Sequence, residues 1–89
     1  MSTPITTETI LHEDGAEAAL AEFASDVRAG EAAIRRFVEA DPQRVWVFSE
    51  LRDAAAEGRR KTAMGAALRS LDLQGFLRID YARYTVEAN

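Results

Sequence analysis

The sequence predicts an α+β fold, mostly α, with a small antiparallel sheet. Three observations carry that expectation. Apolar residues recur at i, i+3, i+4 and i+7 in the stretches Leu20–Val27 and Met64–Leu71, as in helices that bury one face. Gly30, Pro42, Gly58 and Gly75 cut the chain into short elements. Residues 44–48, 76–80 and 83–86 are short runs rich in β-branched and aromatic residues, which read as strands. The order is helix, helix, strand, helix, helix, strand, strand.

Residues 1–13 are rich in Thr and Glu without a clear period and read as a flexible N-terminal arm. Asp14 is a candidate N-cap with Glu17 three residues on, the spacing of a capping box. Leu20, Phe23, Ala24 and Val27 follow as one stripe, and Ile34, Phe37 and Val38 resume it. Gly30 inside a helix costs about 1 kcal/mol relative to Ala. That favours two helices, about 15–28 and 31–40, over a single bent one. Pro42 pushes Asp41 out of the helical region and ends the second near Ala40.

Arg44 to Phe48 reads as a strand. Ser49 is expected to cap the next helix, Glu50 to about Glu57, which Gly58 ends. Arg59-Arg60-Lys61-Thr62 opens a further helix whose buried stripe is Met64, Ala67, Leu68 and Leu71. Gly75 ends it. Phe76–Asp80 and Arg83–Val86 form two strands joined near Tyr81-Ala82.

The length of 89 residues fits one domain with one small core. At 47% hydrophobic and 29% charged residues the chain reads as soluble and globular. There is no cysteine, hence no disulfide and no thiolate metal site, and one histidine, His12, which has no partner for metal or catalytic work. Ser49 has no histidine to form a triad. No catalytic or cofactor-binding constellation is evident, so the chain is expected not to be an enzyme. No apolar run approaches a membrane span, no secretory signal is visible, and a cytoplasmic protein is expected.

The net charge of −4 argues at first against a nucleic-acid partner. Its distribution argues the other way. Residues 1–43 hold nine acidic and three basic side chains, whereas residues 44–84 hold five acidic and eight basic. An acidic half followed by a basic half is a partner signal that the total hides.

From Ile34 onward the order of elements resembles the winged helix-turn-helix superfamily, over roughly 55 of the 89 residues. Ser49-Glu50-Leu51 resembles the start of that fold's second helix, and Ala66-Ala67-Leu68-Arg69-Ser70-Leu71 the second half of its recognition helix. Gln74-Gly75-Phe76-Leu77 resembles the turn into the wing, and Arg83-Tyr84-Thr85-Val86 its return strand. The link from Ala56 to Thr62 is a residue or two longer than usual, and the wing has almost no loop. No family within the superfamily is singled out. The chain then divides into three parts: an arm over 1–13 and an additional acidic helix over 14–30, both read from the residues, and a domain over 31–87 that the resemblance implies is a winged helix-turn-helix.

It also implies a small DNA-binding protein, a regulator of transcription, touching double-stranded DNA through the helix at about 60–72 and the wing at 76–86. If the stripe from Met64 to Leu71 faces the core, Thr62, Gly65, Ala66 and Arg69 face outward. Small residues there let a helix approach a groove floor, and Arg69 reaches a phosphate or a base edge. Gly65 equally suits close packing of another helix. Arg59, Arg60 and Lys61 oppose the helix dipole at its N-terminus, a conflict that a bound phosphate would reverse; a plain solvated surface is the alternative. Arg78 and Arg83 contact DNA from the wing or pair with Asp80 across the strands. Trp46 is expected in the core rather than as a ligand-stacking platform, and Tyr81 and Tyr84 pack on the core or touch backbone phosphate, with core packing favoured for Tyr84.

The stripe Leu20, Phe23 and Val27 on the added helix packs on its own domain or builds a homodimer. The alternative to DNA is a protein partner, with the winged helix acting as an interaction module or adaptor.

Overall fold

The computed structural model describes the backbone of residues 3–89 and the side chains of residues 15–89. Its elements are α1 (Thr3–Ala40), β1 (Trp46–Val47), α2 (Phe48–Ala56), α3 (Lys61–Leu73), β2 (Leu77–Asp80) and β3 (Thr85–Ala88). Of the segment read as an arm, residues 1 and 2 lie outside the described residues. Residues 3–13 fall within the bounds of α1, their side chains undescribed. No described helix is long and apolar enough to cross a membrane.

The two helices expected over 15–28 and 31–40 are one. α1 runs through Gly30, so Asp14 stands inside it rather than at its start. The reason is tertiary. A Cβ built on Gly30 would meet Met64 Sδ and Cε at 2.7 Å and Ala67 Cβ at 3.2 Å. Gly30 is the notch that lets α1 lie against α3, and packing there overrides its poor helix propensity. Phe23 and Val27 are half-buried against the same core, while Leu20 is 69% exposed.

The strand expected over 44–48 shrinks to Trp46–Val47, and α2 begins at Phe48 rather than Glu50. Ser49 is not its cap. Val47 holds that place in an extended conformation with no side-chain bond. The Phe48 amide, an orphan donor of the first turn, instead donates to the Tyr84 carbonyl at 2.9 Å, so the strand-to-helix step needs no capping side chain. Left-handed Glu57 (φ 47°) and Gly58 (φ 86°) end α2. α3 starts at Lys61, two residues later than expected, and closes in a Schellman turn. There Phe76 N–H donates to Leu71 O and Gly75 N–H to Asp72 O, each at 3.0 Å, with Gly75 at φ 81°.

The sheet is antiparallel, in the order β1-β3-β2. The second and third strands are shifted from the expected 76–80 and 83–86 to Leu77–Asp80 and Thr85–Ala88, with residues 81–84 forming a turn. Trp46, Val86 and Ile79 stand in one register row and are buried, so this face lies on the helices. The next row, Val47, Thr85 and Asp80, lies on the other face.

The core joins Ala33, Ile34 and Val38 of α1, Leu51 and Ala55 of α2, and Ala63, Met64, Ala67, Leu68 and Leu71 of α3. Each Leu or Ile buried there contributes roughly 1.5–3 kcal/mol. Beside the core, Glu31 accepts from Ser70 Oγ (3.2 Å) and Gln74 Nε2 (2.9 Å), while Arg35 donates to Gln74 Oε1 (2.9 Å). These bonds fix α1 and α3 in register.

Candidate nucleic-acid interface

Burying one stripe of α3 fixes what the other can offer. With Met64, Ala67, Leu68 and Leu71 fully buried, Thr62 and Arg69 are exposed, Ala66 is half-buried, and Leu73 extends the same face at 89% exposure. Gly65 is itself buried. A Cβ there would meet only Arg69 Nη1, at 3.8 Å, so no other helix uses the space.

Thr62, Gly65 and Arg69 form one side of a shallow depression of about 240 Å³. Arg52 and Phe48 from α2, Lys61 from the start of α3, and Tyr84 from the hairpin turn complete it. Three cations from two helices thus converge on one concavity. Asp53 accepts from Arg52 Nε at 3.0 Å and stands 3.6 Å from Lys61 Nζ. The hydrogen bond from Arg52, aided by the charges of Arg52 and Lys61, holds the Asp53 carboxyl below its ordinary value of 3.8. Among the described residues Arg69 has no carboxylate partner.

Tyr84 forms the opposite wall under strain. Its φ of 57° is left-handed, which is uncommon for a bulky side chain. Such a conformation costs roughly 1–2 kcal/mol. The bond from Phe48 N–H and a stacked contact with the Phe48 ring, at 4.4 Å between centroids and 26° between planes, hold it in place. Tyr84 packs on the core through the buried Phe48 ring while remaining 44% exposed at the rim. Trp46 is buried as expected, edge-on to Phe37 and covered by Arg44 at 3.5 Å.

The basic run beside the depression is not a bare patch. Arg59 lies 3.9 Å from Glu57, Arg60 donates to Glu22 at 2.9 Å, and Lys61 faces Asp53. The β2–β3 hairpin is balanced too. Arg78 pairs with Glu87, its register partner, rather than with Asp80. Arg83 reaches Asp80 at 4.0 Å, and Asp80 Oδ1 also accepts from the amides of Ala82 and Arg83, which shapes the turn. These pairs are largely exposed and screened by solvent, so each is weak and an incoming polyanion can replace the carboxylates.

The structure therefore brings Lys61, Thr62, Gly65 and Arg69 together and sets Arg59 and Arg60 beside them. Arg78 and Arg83 lie apart, around a second depression on the outer sheet face with Asp80 and Glu87. Arg52 was missed in the sequence because the expected start of α2, two residues late, hid the i, i+4 relation between Phe48 and Arg52. Comparisons with protein-family models, curated proteins and solved structures find no match.

Proposed function

We propose that this chain is a winged helix-turn-helix DNA-binding protein, a regulator of transcription, which lays α3 on double-stranded DNA with the β2–β3 hairpin as its wing. The observation that carries this reading is the convergence of Arg52, Lys61 and Arg69 on the open face of α3, with Asp53 the one carboxylate paired among them. Small residues at 65 and 66 let the helix backbone approach a groove floor, and Arg69 is placed for a base edge or a phosphate. The order helix, strand, helix, helix, strand, strand with a β1-β3-β2 sheet supports the superfamily.

A salt titration of binding to mixed-sequence duplex DNA tests it. Neutralising about three phosphates predicts a slope of log K against log salt near −3. No binding at low salt removes the reading. A second reading, an interaction module for a protein partner, is favoured by one feature. Val45, Val47 and Tyr81 are each about half exposed on or beside the outer sheet face, where Arg78 and Arg83 are already paired with carboxylates.

A further inference from the structure

α3 begins without the groups that usually satisfy a helix start. Its N-cap is Arg60, with no side-chain bond, and its first turn contains no acidic residue. The positive end of the helix dipole is therefore left with cations beside it. The missing negative charge arrives from elsewhere in the chain. Glu22, 38 residues away on α1, places Oε2 2.9 Å from Arg60 Nη2. The path of α1 explains how it gets there. Glu22, Asp26 and Gly30 follow at i+4 steps along one row of the helix. Gly30 is the notch over Met64, and Arg60 lies one turn before Met64. The row that packs on α3 at Gly30 thus leads back to Glu22 at the level of α3's N-terminus.

We infer that Glu22 is an internal anion that occupies Arg60 in place of a nucleic-acid phosphate, making α1 an autoinhibitory element of the α3 face. The inference rests on the DNA-binding reading and adds regulation to it. Two further acids pair with cations at this mouth, Glu57 with Arg59 and Asp53 with Lys61, and both come from α2 and its exit. Among the described ion pairs of this basic run, Glu22 is the one delivered by α1. Because the Glu22–Arg60 pair is exposed, it is weak enough for a polyanion to displace.

The test is a double-mutant cycle with Glu22→Gln and Arg60→Gln on a mixed-sequence duplex at low salt. Glu22 is exposed, so neither side chain is needed for the core. The expected result is a gain of about two- to fivefold in affinity for Glu22→Gln, absent when Arg60 is already Gln. Wild-type binding that Glu22→Gln leaves unchanged overturns the inference and keeps the DNA reading. An equal gain with and without Arg60 also overturns it, since that is general charge removal. Binding by the variant alone supports both inference and reading. Binding by neither protein removes both.

Discussion

Gly30 and Met64 share one side chain's worth of space: a Cβ at position 30 would lie 2.7 Å from both the sulfur and the terminal methyl of Met64. Gly30→Ala gains about 1 kcal/mol in helix propensity but overpacks a fully buried methionine and crowds Ala67, at about 1–3 kcal/mol. The expected net effect is a loss of about 1 kcal/mol, read from chemical denaturation. In a Met64→Ala background the same change fills vacated space, so the two effects are expected to be non-additive and partly compensating. Additive losses would show that the two residues do not compete for space.

That contact also marks where the sequence stops being legible. The stripe Met64, Ala67, Leu68 and Leu71 is readable because burial follows the helix's own period. The continuity of α1 is not, since the partner that makes glycine acceptable at position 30 lies 34 positions away. Ser49 has the chemistry of a cap, yet the hairpin turn supplies the acceptor for the first turn through Tyr84 O. At the site, Thr62 and Arg69 follow from periodicity alone. The carboxylates on Arg60 and Arg78 do not, because Glu22 depends on the path of α1 and Glu87 on sheet register.

Tyr84 tests whether the turn is strained. Tyr84→Ala keeps a Cβ in the left-handed region and loses the stack on Phe48, so it is expected to destabilise by about 1 kcal/mol. Tyr84→Gly loses the same stack but relieves the backbone, and is expected to be about 1 kcal/mol more stable than the Ala variant. The single tryptophan, Trp46, is buried in the folded protein and provides the fluorescence readout. A Gly variant no more stable than the Ala variant would refute the strain.

Arg69 is exposed and without a carboxylate partner among the described residues, so on the DNA-binding reading Arg69→Ala is expected to weaken binding at little cost to the fold. A loss of roughly 1–3 kcal/mol is expected if it reads a base, with relaxed preference at one position of the site. Arg83→Ala is expected to weaken binding evenly across sequences and reduce the salt slope by about one. Affinity measurements across a randomised duplex pool separate the two behaviours, and an Arg69→Ala protein with unchanged affinity contradicts the placement of α3.

Asp53 links pH to both stability and binding. Its carboxyl is held below 3.8 by Arg52 and Lys61, so its folded form prefers the ionised state more than the unfolded chain does. The associated stability is therefore present above the unfolded value and is lost as pH falls through the folded value. Asp53→Asn abolishes that contribution, so variant and wild type are expected to converge in thermal stability at the acid end. At neutral pH the wild type is the more stable. On the DNA-binding reading the effect on binding is opposite: at pH 7 the same change frees Arg52 and Lys61, and duplex affinity is expected to rise. A variant less stable at neutral pH with weakened binding would mean that Asp53 positions the two cations, and that a phosphate does not displace it.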